Sequence, residues 1–251
     1  MLQFTSKAQA TRDTGVTYIS SVSYSVKHQK SLKYGELTLS LYLAPAKMSG
    51  YEVCPGRTAE CTRLCLNQSG KNMGVQKERG DFINQSRITK TRLFFEERDF
   101  FMDWLISEID AAKRKAVRMT HKLSIRLNNT SDISPELFVR NGKNILEMYP
   151  DIQFYEYTKV PSRVKLMERY PNYDVTFSYT GHNWETCKQM LENDTRVAVV
   201  FKKVPEVWEG YKVIDGDEYD MRYKDDKKVI VGLKYKINRN KLTPETKFVV
   251  Q

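Results

Sequence analysis

The sequence lacks the long apolar runs that mark membrane proteins and the repetitive segments that mark disordered or fibrous ones. No apolar run approaches the ~20 residues that a membrane-spanning helix requires, and residues 1–7 contain no hydrophobic signal core. The 12 Gly and 8 Pro among 251 residues show no low-complexity pattern. We therefore expect a globular cytoplasmic protein that neither spans a membrane nor uses the Sec export route.

The common phosphate-binding and hydrolase motifs are also absent. The sequence contains no G-x-x-x-x-G-K-[ST], no G-x-G-x-x-G and no G-x-S-x-G. The sequence therefore gives no motif support for a P-loop NTPase, a nicotinamide-dependent dehydrogenase or a serine hydrolase. No internal repeat and no long linker divides the chain.

Acidic residues are in the minority, and the charge balance favours polyanionic partners. The 41 Lys and Arg residues exceed the 31 Asp and Glu residues, which gives a formal net charge of +10. Such a charge attracts nucleic acid, nucleotides or anionic lipid without choosing among them. Residues 111–131 concentrate six basic residues and no acid, although basic residues are also common at the end of a helix. We expect a nucleotide or nucleic-acid partner, with a host protein as the alternative.

Cysteine is rare, yet three of the four cysteines lie within twelve residues. Cys54, Cys61 and Cys65 form a C-x6-C-x3-C pattern directly after the first strong strand. Clustered thiols in a chain without export features indicate a metal or redox site rather than a disulfide scaffold. Thiolates are ligands for iron–sulfur clusters and for zinc. A 4Fe-4S iron–sulfur cluster is favoured over zinc, because zinc normally takes four protein ligands. Three thiolates would hold such a cluster and leave one of its irons open. Structural or disulfide-bonded thiols are the remaining alternative.

Cys187 is the fourth cysteine and is open to two interpretations. It lies on one face of a predicted helix with Trp184 and Leu191. That position suits either a fourth metal ligand or a buried core cysteine. The core interpretation is the more typical one, because free cysteines are among the most buried residues.

Strand and helix patterns alternate from residue 36 to the end of the chain. Strands are predicted at 36–43, 123–127, 152–157, 173–178, 196–201, 211–214 and 229–233, with helices at 81–116 (broken near 98–99), 134–148, 162–169 and 182–193. This alternation is typical of a parallel α/β sheet. We predict a parallel β/α barrel or partial barrel with a cysteine loop after the first core strand, and an open doubly wound sheet as the alternative. Residues 1–35 are predicted to be an N-terminal arm or a peripheral layer, and residues 36–251 a single α/β domain.

Polar residues follow four of the predicted strands. Because the carboxyl ends of parallel strands meet at one edge of a sheet, these residues are expected to share a site with the cysteine loop. The candidates for catalysis or substrate positioning are Asn128, Asp132, Lys159, Ser178, Asp217 and Asp220. Taken singly, each has an ordinary alternative role in a turn, a cap or a solvated loop.

The order of these motifs resembles the bacteriophage "gene product 88" family over about residues 37–236. The resemblance rests on Leu43-Ala44-Pro45, Ser49-Gly50, the three cysteines with Leu66-Asn67 and Gly70, Arg126-Leu127-Asn128, Thr130-Ser131-Asp132, residues 155–159, Thr176-Phe177-Ser178, residues 197–201, Asp215-Gly216-Asp217, Asp220, Arg222 and residues 229–233. It implies a phage-encoded protein in the host cytoplasm more than a particular reaction. In layout the cysteine loop is also similar to that of radical S-adenosylmethionine enzymes, which use C-x3-C-x2-C instead.

Two functional hypotheses follow from the sequence. In the first, the chain is an iron–sulfur enzyme that binds a ligand such as S-adenosylmethionine at the open iron and acts on a nucleotide or nucleic acid. In the second, it is a nucleic-acid-binding replication or expression factor with a structural iron–sulfur or zinc site. A host-directed interaction protein is a third alternative that no motif favours or excludes.

Overall fold

The computed structural model describes residues 1–22, 26–69, 77–236 and 246–251 of the chain. The helices are α1 (Lys7–Thr14), α2 (Val26–Leu32), α3 (Ala59–Arg63), α4 (Lys77–Glu96), α5 (Arg98–Arg118), α6 (Ile145–Met148), α7 (Leu166–Arg169) and α8 (Trp184–Glu192). The strands are β1 (Ser20–Val22), β2 (Glu36–Leu41), β3 (Lys122–Arg126), β4 (Val139–Arg140), β5 (Lys143–Asn144), β6 (Gln153–Thr158), β7 (Tyr173–Ser178), β8 (Arg196–Phe201), β9 (Val207–Trp208), β10 (Tyr211–Asp215), β11 (Ile230–Lys234) and β12 (Val249–Val250). Gly70, part of the family motif, lies outside the described residues.

Ten of these strands form one mixed sheet. Its order is β1-β2-β3-β6-β7-β8-β11-β10-β9, with β12 paired to β8, while β4 and β5 make a separate hairpin. In the sheet order, the seven neighbouring strands β2, β3, β6, β7, β8, β11 and β10 run parallel to one another. The end strands β1 and β9 are antiparallel to their neighbours. The carboxyl ends of the seven parallel strands therefore lie along one edge.

The predicted barrel is wrong. Within the described residues, the two ends of the sheet, β1 and β9, do not pair with each other. Antiparallel end strands also differ from the parallel closure of a β/α barrel. The doubly wound order does not occur either, because β2, β3, β6, β7 and β8 follow one another in a single direction. Closure depends on strand tilt and stagger summed over the whole sheet, which local periodicity does not encode.

Local sequence features explain where two predicted helices begin and end. The expected break near residues 98–99 is present, since α4 ends at Glu96 and α5 begins at Arg98. The helix predicted over 134–148 is wrong, because most of that stretch is a 3-10 turn and the β4–β5 hairpin. Asn141 and Gly142 both have positive φ and make the hairpin turn. Asn144 then forms a capping box that starts α6.

The two faces of the sheet differ in polarity. One face is apolar and packs against α5, which buries Phe100, Phe101 and Trp104. The second face carries buried polar side chains, namely Glu36, Thr38, Ser124, Tyr155 and Arg196. The connection from β10 to β11 crosses this second face, because Asp220 pairs with Arg126 on β3 and Lys224 with Glu36 on β2. Ion pairs and hydrogen bonds therefore stabilise the second face of the sheet, whereas apolar packing stabilises the first.

Residues 1–35 contribute α1, β1 and α2 to the molecule. Ala10, Val16 and Ile19 are buried in the main core cluster, and β1 extends the sheet at β2. The division of the chain at residue 35 stays a prediction. Among the described residues, none of the helices is both long and apolar enough to cross a membrane.

Candidate functional site

The cysteine loop leaves the carboxyl end of β2 and is fixed by short-range hydrogen bonds. The Thr58 hydroxyl caps α3 by accepting from the Cys61 N–H at 3.1 Å. The Cys54 Sγ accepts from the Ala46 N–H at 3.4 Å. The Glu52 carboxylate accepts from the Arg57 guanidinium, and the Val53 carbonyl accepts from the Asp132 N–H at 2.7 Å. The cysteines therefore lie on a loop that is attached both to itself and to the segment after β3.

All three clustered cysteines line one pocket of about 280 Å³. The lining residues are Pro45, Ala46, Lys47, Met48, Cys54, Arg57, Cys61, Thr62 and Cys65. None of the three thiols forms a disulfide with a described residue, and all three are half-buried. Over the part of the chain that the structure describes, no three His, Cys, Asp or Glu side chains are already grouped as a metal site. Binding of a metal at this pocket would therefore have to draw the three sulfurs together.

Burial keeps two of the pocket thiols protonated. It raises the pKa of Cys54 to about 12, and it also raises the pKa of Cys65. Hydrogen bonds from the backbone N–H groups of Ala46 and Asn67 act in the opposite sense, because they stabilise the thiolate forms of Cys54 and Cys65 respectively. Metal binding here would displace protons and become tighter as the pH rises.

Lys159, which follows β6, lies beside the cysteine loop. Burial lowers the pKa of its ammonium group, but the negative charges available on Cys61, Asp132 and Cys54 outweigh that effect and the net pKa is raised. Within the described ranges, the Lys159 Nζ makes no hydrogen bond or ion pair. Among the predicted site residues, Lys159 therefore lies close to the cysteines, and its ammonium group forms no ion pair with a described residue.

Gly56 is the point at which the cysteine loop touches the end of β6. A Cβ at this position would lie 2.7 Å from the carbonyl oxygen of Lys159 and 2.8 Å from its Cβ. These atoms are fixed by the β6 backbone, so the loop itself would have to move away.

We expect Gly56→Ala to destabilise the protein by about 1–3 kcal/mol because of this overpacking. It should also speed the alkylation of Cys54, since the loop that buries it is displaced. Thermal unfolding and thiol labelling rates measure both effects. Ala59→Ser adds one atom at an exposed position of the same loop and serves as the control. Unchanged stability and labelling in Gly56→Ala would show that the loop is not held against β6.

Asn128 is fully engaged within the turn after β3. Its Nδ2 donates to the Ile133 carbonyl at 2.8 Å and to the Glu156 carboxylate at 2.7 Å. Its Oδ1 accepts from the Ser131 hydroxyl at 2.7 Å and from the Ile133 N–H at 2.9 Å. These bonds give Asn128 a turn-forming role behind the pocket, in line with the ordinary role open to it in the sequence.

Asp132 joins the turn after β3 to the end of β6. Its carboxylate accepts from the Thr158 hydroxyl at 2.8 Å and from the Lys159 N–H at 2.9 Å, and it pairs with the Arg163 guanidinium. Arg163 also donates to the Asp132 carbonyl at 2.9 Å. Asp132 therefore fixes the backbone that carries Lys159.

Glu156 is a buried carboxyl group that the sequence analysis missed. Burial raises its pKa to about 7, and the nearby Arg163 and the hydrogen bond from Asn128 only partly offset that rise. The Tyr173 hydroxyl also donates to this carboxylate, at 3.1 Å. The available sequence signal was an acidic residue at the centre of an otherwise aromatic strand, next to Tyr155 and Tyr157.

The other three predicted residues lie away from the cysteine pocket. Asp220 is buried on the second face of the sheet, where it pairs with Arg126. The Asp217 carboxylate accepts from the Lys234 N–H at 2.9 Å near the end of β11. Ser178 ends β7 on the same face as Thr176, and its carbonyl accepts from the Asn183 side chain. Successive side chains of a strand point to opposite faces, so a shared edge does not bring all of these residues into one site.

Cys187 belongs to the apolar core rather than to the pocket. It is fully buried on α8 and packs in a cluster with Phe177, Leu191 and Val197. Burial raises the pKa of its thiol to about 12. Cys187 is not among the residues that line the cysteine pocket.

The comparisons with known proteins identify a family and leave its chemistry open. The profile of the family described as Gene product 88 matches residues 8–248, which include the cysteine loop and every candidate residue discussed above. No curated protein and no solved structure is significantly similar to the chain, so the likeness in layout to radical S-adenosylmethionine enzymes has no support. The match to nearly the whole chain confirms the resemblance drawn from the motif order, and the protein belongs to the bacteriophage gene product 88 family.

Proposed function

We propose that this protein is an iron–sulfur enzyme that acts on a nucleotide or nucleic acid. The observation that carries the proposal is the convergence of Cys54, Cys61 and Cys65 on one pocket while Cys187 is buried elsewhere in the core. Three thiolate donors without a fourth would hold a 4Fe-4S cluster and leave one iron free. When bound, such a cluster supplies one-electron chemistry or a Lewis-acidic iron at its free position.

The donor set and its surroundings fit an iron–sulfur cluster better than zinc. Soft thiolates are the ligands that both centres prefer. Structural zinc sites are closed by four ligands, and the pocket lining supplies three cysteines and no histidine or carboxylate. The N–H groups of Ala46 and Asn67 that point at two of the sulfurs are the kind of hydrogen bond that tunes thiolate-bound clusters.

The residues around the pocket are suited to bind an anionic substrate. Lys47 lines the pocket, and Lys159 lies close to its three cysteines and forms no ion pair with a described residue. Asp132 positions Lys159 through its backbone N–H, while Arg163 neutralises the Asp132 carboxylate. The net charge of +10 favours the approach of nucleotides or nucleic acid.

Metal and sulfide analysis of protein purified without oxygen tests this proposal. We expect iron and acid-labile sulfide, together with a visible absorption band. Each of Cys54→Ala, Cys61→Ala and Cys65→Ala should lose most of the iron. Cys187→Ala is the matched control, because it removes a thiol from the core and should retain the full iron content.

Two results would contradict the iron–sulfur proposal. The first is full iron content in the triple variant of the pocket cysteines. The second is wild-type protein with zinc alone or with no metal, which would leave salt-dependent nucleic-acid binding as the leading function. Zinc lost in the same three variants would support a structural zinc site in its place.

A further inference from the structure

Two buried cations on α4 have no carboxylate partner among the residues that the structure describes. Arg87 and Lys90 are 9 % and 4 % exposed. Neither forms an ion pair with any residue that the structure describes. The Lys90 Nζ makes no hydrogen bond in that part of the chain, and the Arg87 guanidinium donates only to the neutral Asn67 side chain. Burying a charge without a counter-charge is strongly unfavourable, so these two residues require an explanation.

The surroundings of the two cations are aromatic rather than acidic. The Lys90 Nζ lies 4.3 Å from the ring centroid of Tyr18, and the Arg87 guanidinium lies 5.3 Å from that of Tyr42. The pKa of Lys90 is lowered to about 8, chiefly by burial; the charge of Glu108 opposes this shift and the charge of Arg87 adds to it. The Glu108 carboxylate itself accepts hydrogen bonds from Ser20 and Ile19. Cation–π contacts offset part of the lost hydration but leave the positive charge uncompensated.

Arg87, one of the two cations, lies near Cys65 of the cysteine pocket. Burial is the largest effect on the Arg87 guanidinium and lowers its pKa. Arg87 also lies close enough to Cys65 for a thiolate there to oppose this shift. Asn67, which accepts from Arg87, is two residues after Cys65 and also donates its N–H to the Cys65 sulfur. The uncompensated charge therefore adjoins the wall of the pocket that carries Cys65.

We propose that Arg87 and Lys90 bind a phosphate group of a nucleotide whose remainder extends into the cysteine pocket. A planar guanidinium and an ammonium group three residues apart on one helix can both donate to the oxygens of one phosphate. The ligand supplies the counter-charge that no described residue provides through an ion pair. The inference rests on the proposed function for the assignment of a nucleotide, whereas the phosphate site itself does not require the iron–sulfur cluster.

Thermal unfolding with defined anions tests the site on the full chain. The probes are inorganic phosphate, adenosine and guanosine monophosphates and triphosphates, the free nucleosides, and citrate, all at matched ionic strength in chloride. We expect the phosphate-bearing probes to raise the melting temperature and the nucleosides to have no effect. Two results would overturn the phosphate assignment. One is that citrate raises the melting temperature as much as phosphate does, and the other is that no probe raises it above the value in chloride alone.

Two charge-removing variants locate the site. Arg87→Met and Lys90→Met should each weaken nucleotide binding by roughly tenfold or more, because a charge-assisted hydrogen bond is lost. Lys113→Met is the matched control, since it removes the same charge from an exposed lysine on α5 and should bind as the wild type does. Equal binding in all three variants would place the nucleotide elsewhere and overturn the proposal.

The stability of the ligand-free variants separates a binding site from a structural one. If Lys90 is kept for a ligand, Lys90→Met should raise the melting temperature of the free protein, because a buried unpaired charge is removed. A lower melting temperature together with unchanged nucleotide binding would make Lys90 a packing residue. Iron and sulfide content measured on the same samples keeps the two proposals distinct: nucleotide binding without iron would contradict only the cluster, and iron without nucleotide binding only the phosphate site.

Discussion

Asp132→Ala is expected to lower the free energy of unfolding by about 3–5 kcal/mol, because it leaves a buried guanidinium without its counter-charge. The Arg163 side chain is only 6 % exposed and pairs with this carboxylate. The same substitution removes the acceptor for the Thr158 hydroxyl and the Lys159 N–H. Equilibrium unfolding in urea measures the loss.

Two further variants show whether the loss arises from the orphaned charge. Asp103→Ala breaks a more exposed pair with Arg140, which keeps its second partner Asp99, and should change stability by less than about 1 kcal/mol. Asp132→Ala combined with Arg163→Met should recover part of the lost stability, since no buried charge is then left unpaired. A double variant no more stable than Asp132→Ala would indicate that the hydrogen bonds to β6, rather than the ion pair, carry the effect.

Asp220→Ala is the second substitution with a large expected effect, about 3–5 kcal/mol of lost unfolding free energy. Asp220 is 1 % exposed and pairs with Arg126, which lies between β3 and the crossing connection from β10 to β11. Without Asp220, the connection loses one of its attachments to the second face, and the Arg126 guanidinium stays buried. Urea unfolding of the variant measures the loss.

Asp217→Ala is the matched comparison for Asp220→Ala. Asp217 lies three residues earlier and is more exposed, and its carboxylate accepts from the Lys234 N–H and lies 3.8 Å from the Lys236 Nζ. We expect a loss of about 1 kcal/mol, typical of a single hydrogen bond. Similar losses for the two variants would show that burial of the Asp220–Arg126 pair does not control the stability of this face.

These expectations change the roles given to the predicted site residues. Asp132 and Asn128 hold the turn after β3, and Asp220 attaches the crossing connection, so all three have structural partners that account for their burial. The three cysteines keep a candidate functional role because they line the pocket, and Lys159 keeps one because its charge lies close to them. In the sequence, a solvated loop was the ordinary alternative for the acidic stretch after β10. In the structure, Asp220 of this stretch is buried in an ion pair with Arg126.

The sequence by itself determined the elements whose physics is local. The strand patterns placed β7 and β8 at their observed bounds, β8 through its nearly continuous apolar run. The break predicted near residues 98–99 separated α4 from α5, and the cysteine spacing identified the loop after β2. The motif order also identified the family. Each of these features depends on residues close together in the chain, where periodicity and capping act directly.

Only the tertiary structure decided how the sheet ends and which polar groups meet. Whether β1 and β9 pair is a property of the whole sheet, and the sequence pattern of its parallel strands is the same in an open sheet and in a barrel. Likewise, Asp132 with Arg163 and Asp220 with Arg126 are separated by 31 and 94 residues. Arg87 and Lys90 look like ordinary surface cations of a helix in the sequence. Their burial, and the position of Arg87 near Cys65, follow only from the packing of α4.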